Sequence, residues 1–399
     1  MARIAIFCDG TWNSPTQTQP THVHRLFQAT RADAGQRPVY VPGVGTGGKW
    51  ATMFGKGLNK LGGGAFGWGL NANIKQAYRA LAMLYKPGDQ ILIFGFSRGA
   101  YTARSLAGMI RKVGIIDNPS KDRLDKAFDL YRLPGPENAP DQPHIITARR
   151  DLSPRFATSA DEITWRADNP VAGQQGVPHL VTVDYLGIWD TVGSLGIPTS
   201  ILGPVASLWN RKYRFHDTKL SRMVRSARHA VALDERRVFY RPALWDNLEQ
   251  NPDGPGLNAG DRTEKRAYQQ VWFIGTHSVV GGSAGDRGLT SITLDWIAAG
   301  AQAAGLTLNE ATPLLDHVPD ALVDSEALVD APLAYRVAGA LLDWRKGPGH
   351  AVDMHGSVET RVAGRTDYRP LSLRALKPEL FDESPVVPVT PHPRSGGDR

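Results

Sequence analysis

Three polar residues stand at the ends of apolar runs, in the chain order Ser97, Asp190, His277. A serine hydroxyl is a weak nucleophile until a neighbouring imidazole takes its proton. The imidazole in turn needs an acid to hold its tautomer. Ser97 lies in Gly95-Phe96-Ser97-Arg98-Gly99, which fits G-x-S-x-G. That pattern puts a serine on a sharp turn between strand and helix, and its glycines let the two elements approach closely. Five-residue patterns recur by chance, so the flanks decide. Ile91 to Phe94 reads as a buried parallel strand, and Ala100, Ala103, Ala107 and Ile110 recur three and four apart, as on one helix face. Strand, turn and helix are the context that a nucleophile elbow requires.

Asp190 ends the run LVTVDYLGIW, residues 180–189, where a hydrolase of this chain order keeps its acid. A helix N-cap or turn aspartate is the plain alternative. Asp184, inside the run, is the weaker choice. His277 follows QVWFIGT, residues 270–276, the last clear strand. A lone histidine is usually structural, but this one follows both serine and acid at a strand end, so it reads as the base. The backbone N–H of Arg98 is the expected first oxyanion donor. A second is expected from the turn after Ile4 to Cys8, with Gly10 and Thr11 as donors and Trp12 as a substrate contact. The same residues also read as an ordinary Asp-Gly turn, and both readings stand at this point. Asp234, Glu235, Arg236 and Arg237 read first as an ion-pair network, with Arg237 or Arg241 available to an anionic head group. Gly43 to Trp50, GVGTGGKW, falls one residue short of a phosphate-binding loop, because Trp50 stands where the magnesium-binding hydroxyl belongs.

The elements that must position these residues alternate. Strands are expected at residues 4–8, near 38–41, at 91–94, 180–189 and 270–276, and helices at 21–33, from about 70 to 85, after Gly99 and at 289–304. Residues 215–245 read as a charged helix followed by a strand from Val238, and the glycines of residues 62–69 as tight turns near the active-site mouth. The fold class is α/β: a doubly wound, mostly parallel sheet with helices on both faces and ligands at the strands' carboxyl ends. Residues 116–180, rich in Pro, Asp and Arg, read as an inserted, lid-like segment. One domain is expected over 1–382, with the Pro-, Gly- and Ser-rich residues 383–399 a disordered tail.

Composition narrows the class. A 41% hydrophobic and 21% charged chain of 399 residues suits a globular protein with a large core. The single cysteine, Cys8, excludes an internal disulfide and fits synthesis in a reducing compartment. No apolar run approaches a membrane span, and the N-terminal run is too short for a signal peptide, so cytoplasmic synthesis is expected. Forty-six Lys and Arg against 39 Asp and Glu leave +7, mild for this length. No zinc-ligand spacing, repeat or RNA-binding signature is present, so nucleic acid is not an expected partner. The triad chemistry calls for no metal or organic cofactor.

The motifs together resemble an α/β-hydrolase family of bacterial proteins that includes the phospholipase effectors of type VI secretion. The matching stretches include FCDGTWN, GDQILIFGFSRGAYTARSLAGMI, YLGIWDTVGS, ARHAVALDERRVFYRPALW, VWFIGTHSVVGG and HGSVETR, spread in order over residues 4–361. The resemblance implies an α/β-hydrolase fold, a Ser97–Asp190–His277 triad and ester hydrolysis, with phospholipid among the substrates. It also implies peripheral membrane contact, export by a type VI system, and a secretion-system partner or immunity protein. One departure stands out: the family's GxHSDVGGG appears with Val279 in place of the aspartate and Ser283 in place of the third glycine. If that aspartate supports the histidine, activity is weakened here. The large extra C-terminal portion that some secreted members use for membrane docking is not recognisable, which bears on the effector role rather than on the fold.

Overall fold

Six short runs rich in Ile, Val, Phe and Ala form one sheet. In the computed structural model, which describes residues 1–10, 19–43, 63–172, 176–193, 219–251, 254–325 and 342–381, they are β1 (Arg3–Cys8), β2 (Gln36–Val41), β3 (Gln90–Phe96), β4 (Tyr185–Trp189), β5 (Ala227–Ala232) and β6 (Tyr268–Phe273). All neighbours pair in parallel, in the order β6–β5–β4–β3–β1–β2. Alternate side chains leave opposite faces of a strand. Ile4, Ile6, Ile91 and Ile93 join one core cluster, and Ala5, Phe7, Leu92 and Phe94 the other. Both faces are therefore dry, as a parallel sheet requires.

Helices α2 (Gly63–Leu84) and α3 (Arg98–Val113) cover the first face, and α1 (His22–Ala29) and α8 (Arg287–Ala303) the second. The chain runs from β1 out to β2 on one side, crosses back to β3 on the other side of β1, and continues outward from there. The crevice at the carboxyl ends of β1 and β3 is thus the topological switch point, where open α/β sheets bind ligands. Ser97 stands at the end of β3, facing it.

The insertion holds α4 (Lys121–Arg132), α5 (Pro143–Leu152), α6 (Ala160–Asp168) and a two-stranded pair, Phe156–Ala157 with His179–Leu180. Ser120 and Ser159 start α4 and α6 by accepting from the N–H groups of Arg123 and Glu162. A fully buried carboxylate, Glu162, accepts from Arg149 Nε at 2.9 Å and Arg166 Nη2 at 2.6 Å. Arg149 also donates to the carbonyls of Arg111 and Lys112, in the last turn of α3. These anchors sit at the end of α3 opposite Ser97, ~22 Å away along a helix at 1.5 Å per residue. The insertion therefore braces the far end of that helix through these residues.

Three expectations are corrected. Ala227–Ala232, read as part of a charged helix, is strand β5, and Val238–Tyr240 is a single 3₁₀ turn rather than a strand. The polar residues that suggested a helix each have a specific partner inside the fold. His229 meets Gln270 and the Thr191 N–H, and Arg228 lies over Trp296. The glycines near residue 65 fall within α2 rather than in turns. The C-terminal part folds back through α7 (His277–Val280), α8 and α9 (Gly356–Gly364) and packs on the end of the sheet. The loop at residues 44–50 and the tail beyond 381 lie outside the described residues.

The elbow's glycines are dictated by backbone contact. A Cβ on Gly99 would sit 2.1 Å from the Cys8 carbonyl oxygen, and one on Gly95 would sit 2.4 Å from the Gly99 oxygen. Neither neighbour is a side chain that can turn away. Gly99→Ala must push α3 off β1, so we expect a loss of ~1–3 kcal/mol or more from overpacking. A thermal melt measures it. A variant as stable as the parent would mean that helix and strand have slack at this contact.

Candidate active site

Ser97 is the N-cap of α3 and adopts φ 57°, ψ −121°, a conformation non-glycine residues rarely take. Such strain costs on the order of 1–3 kcal/mol and persists only where the surroundings enforce it. Its N–H donates to the Trp189 carbonyl at 3.0 Å, which ties the elbow to the end of β4. Its side chain makes no capping bond to the helix. Instead Oγ lies 2.9 Å from His277 Nε2.

His277 opens α7 just past β6. Its Nδ1 lies 2.6 Å from Asp190 Oδ2. An ionised carboxylate only accepts, so Nδ1 carries the hydrogen, Nε2 is left as acceptor, and the Ser97 hydroxyl donates to it. The ring is wedged between aromatic neighbours, with its centroid 4.7 Å from Phe96 and 4.8 Å from Tyr240. A Cβ on Gly281 would fall 2.1 Å from the Phe96 ring, so that glycine makes room for the contact. The histidine's backbone is also held. Asp234 accepts from the Gly275 N–H at 2.6 Å and Glu235 from the His277 N–H at 3.1 Å. The two acids of the ALDERR stretch thus fix the segment that carries the ring. Burial, in part offset by bonds from Gly275 and Tyr368, pushes the Asp234 carboxyl up to about 6.

Asp190 follows β4 and is fully buried. Its φ of 36° is left-handed, a region aspartate tolerates better than most residues. The Thr191 N–H beside it donates to His229 Nε2 at 3.2 Å. Oδ1 accepts from the Ala232 N–H at 3.0 Å and Arg345 Nη1 at 2.6 Å, and Oδ2 accepts from Arg345 Nη2 at 3.0 Å besides His277. Burial alone would raise this carboxyl. The Arg345 guanidinium and the His277 bond overcome it and hold the group well below the usual carboxylate range.

The remaining expected site residues fall elsewhere. Asp184 accepts from the Ile91 N–H at 2.9 Å, at the start of β3 and away from Ser97. The Gly10 N–H, expected at the oxyanion, donates to Asp9 Oδ1 at 2.7 Å. Asp9 is buried and also accepts from Thr21 and Tyr40, so this is the Asp-Gly turn reading. Thr11 and Trp12 lie outside the described residues. Arg98 is the first residue of α3, so its N–H follows the nucleophile directly. Arg237 binds Glu235 through Nε at 2.8 Å and Nη2 at 2.7 Å, the ion-pair reading, and covers the Tyr240 ring. Arg241 is exposed and pairs with Asp343 at 3.3 Å. Val279 is fully buried against Gly275, in an apolar cluster. The carboxylates that hold His277 are Asp190 and Glu235, from other strands. Sequence reasoning missed Arg345 and His229. No group of three or more potential metal ligands occurs among the described residues.

An α/β protein with a serine, a histidine and an aspartate in one hydrogen-bonded line at the carboxyl ends of its strands is the class these observations define. The chain belongs to the family described as T6SS, Phospholipase effector Tle1-like, catalytic domain, whose model matches residues 2–300. It is 29% identical over 187 residues to the uncharacterized protein YEL023C of Saccharomyces cerevisiae, a match over 47% of this chain and 23% of that protein. Among solved structures it is similar to an uncharacterized protein from Pseudomonas aeruginosa, at TM-score 0.39 and 16% identity over 77% of this chain and 46% of that one. It is also similar to the Tle1 effector bound to the VgrG spike of the type 6 secretion system, at TM-score 0.34 and 16% identity over 71% and 51% of the two chains. The chain thus spans under a quarter of the yeast protein and about half of each solved chain.

Proposed function

We propose that the chain is an α/β-hydrolase that cleaves carboxylic esters through Ser97, His277 and Asp190, with glycerophospholipid as substrate. The observation that carries the reading is the continuous line from Asp190 Oδ2 through His277 to Ser97 Oγ, with contacts of 2.6 and 2.9 Å. Both contacts lie within the reach of an activated nucleophile. Ser97 Oγ attacks the ester carbonyl carbon as its proton passes to His277 Nε2. Asp190 holds the ring and stabilises the imidazolium. The tetrahedral oxyanion is met by the Arg98 N–H at the start of α3, where the helix dipole adds positive potential. His277 then hands the proton to the leaving alcohol. Water, activated by the same base, frees the acyl group from Ser97.

Membership of a phospholipase effector family supports the lipid substrate, and the +7 charge favours an anionic bilayer, with basic residues near the surface worth about 1 kcal/mol each. Export by a type VI system, with a secretion-system or immunity partner, is part of the same proposal. No described helix is long and apolar enough to cross a membrane. Two other readings share the scaffold: an esterase for small soluble esters, and a binding protein whose serine is silent. A fluorophosphonate probe removes the last, because only an activated serine labels. Vesicles of anionic and zwitterionic lipid, at low and high salt, separate the other two. The expected result is fatty-acid release, faster on anionic vesicles, with that preference lost as salt screens the charges. Turnover of p-nitrophenyl esters with no release from any vesicle would leave a serine hydrolase and end the phospholipase reading.

A further inference from the structure

The family match ends at residue 300, yet the chain that follows reaches the acid of the site. Residues 342–381 lie against the ends of β5 and β6. The His355 N–H donates to the Trp272 carbonyl, Tyr368 Oη to Asp234, and Ser372 Oγ to the Leu233 carbonyl. A Cβ on Gly347 would sit 1.8 Å from the Ser372 oxygen, so the strand of chain carrying Arg345 is pressed onto this layer. Arg345 is buried and spans the two oxygens of Asp190 with its two terminal nitrogens, at 2.6 and 3.0 Å. The same two nitrogens also donate to the carbonyls of Ala232 and Tyr240. Four contacts thus converge on one planar carboxylate, two from Arg345, one from His277 and one from the Ala232 N–H, while the Arg345 bonds to the two carbonyls hold the fork still.

We infer that Arg345 is a positioning residue for the reaction: its forked contact sets the plane of the Asp190 carboxylate, so that Oδ2 faces His277 Nδ1, and residues 342–381 are in this way part of the hydrolase. A bidentate guanidinium fixes both the position and the rotation of a carboxylate, which a single ammonium cannot do. Without it, Asp190 would keep one backbone donor, the Ala232 N–H, and would be free to turn about its side-chain bonds. The inference rests on the hydrolase reading given above.

The test takes Arg345→Met and Arg345→Lys in the full chain. The expected result for Arg345→Met is a fall in kcat of roughly 10²-fold, the scale of an error of about 1 Å in catalytic geometry. The acid limb of its pH–rate profile should also move to higher pH, because a carboxylate stripped of its cation accepts a proton more readily. The other titratable groups around this pair are His229 from β5, which accepts through Nε2 and is neutral, Arg104 from α3, Asp234, and Glu235 with Arg237. Arg345 and His277 are the ones within hydrogen-bond distance of Asp190 among the described residues. Arg345→Lys, which keeps the charge and loses the fork, should restore the limb and recover kcat only in part. In an Asp190→Asn background, Arg345→Met should add little, since both act through one group. A normal kcat and limb in either Arg345 variant, or full additivity with Asp190→Asn, would overturn the role. If Arg345→Met does not fold, Arg345→Lys decides alone, by the same split between limb and kcat. Failure of the underlying reading shows separately, as a parent enzyme that neither turns over esters nor labels with the probe. The low-field NMR resonance of the proton on His277 Nδ1 reads the dyad without turnover, and an unmoved resonance in both Arg345 variants would overturn the positioning role.

Discussion

Ser97→Ala lowers kcat by on the order of 10⁶ and abolishes fluorophosphonate labelling, while the protein melts where the parent melts; this is the expected result of removing a triad nucleophile. The change is close to surgical in this fold. The serine makes no cap bond to α3, so the helix loses no start signal. Its Oγ bond to His277 Nε2 is the contact removed. Alanine keeps a Cβ, so the strain of φ 57° remains and the elbow has no new reason to relax. A melting curve beside the labelling gel shows whether lost activity is chemistry or unfolding. Undiminished ester turnover in this variant would refute the nucleophile assignment and, with it, the proposed reaction.

The strand ends were legible in the sequence, because parallel strands buried on both faces leave apolar runs of four to seven residues that end where polar side chains become useful. Ser97, Asp190 and His277 each follow such a run, at the ends of β3, β4 and β6, and the structure brings the three together. The strand between β4 and β6 was hidden. His229 and Arg228 put polar side chains into β5, and only partners distant in sequence satisfy them: Gln270, Thr191 and the Trp296 ring. A local pattern cannot show that a buried histidine has an acceptor 41 residues away. Arg345 is a sharper case. It lies in LLDWRKGPG, with no periodicity or motif to single it out, and its value comes from a contact made 155 residues back along the chain. The acids of ALDERR were visible as charged residues, but their work is done on backbone N–H groups of the histidine segment, a geometry no composition reveals. The Gly10 N–H shows the converse. The turn was placed correctly after β1, yet its direction is set by the buried Asp9 carboxylate, which gathers Gly10, Thr21 and Tyr40 to itself.

His277→Ala should cost nearly as much as Ser97→Ala, since the groups act as a unit, and combining the two should cost no more than either alone. Asp190→Asn should fall short of both, at roughly 10⁴ in kcat. The donors around the side chain say why. The Oδ1 position faces the Ala232 N–H and Arg345 Nη1, which demand an acceptor. An asparagine therefore keeps its oxygen there and turns its NH₂ toward His277. That amide donates to Nδ1, which must then be the bare nitrogen, and the hydrogen moves to Nε2. Nε2–H cannot take the Ser97 proton, so the base is held in the wrong tautomer, and the NH₂ also faces Arg345 Nη2, a donor that Oδ2 accepts in the parent. Because Arg345 holds the parent carboxyl well below the usual range, Asp190 stays ionised across the acid range of an ordinary assay. Lowering the pH should therefore not reproduce the Asp190→Asn defect in the parent. Asp184→Asn is the matched control: its carboxylate meets the Ile91 N–H at the start of β3, so the change should leave kcat within a few-fold and lower stability by about 1 kcal/mol, the net worth of a typical hydrogen bond. Steady-state kinetics on a p-nitrophenyl ester, with a melt for each variant, separates the cases. If Asp184→Asn is the damaging change and Asp190→Asn is silent, the acid has been placed on the wrong end of β4.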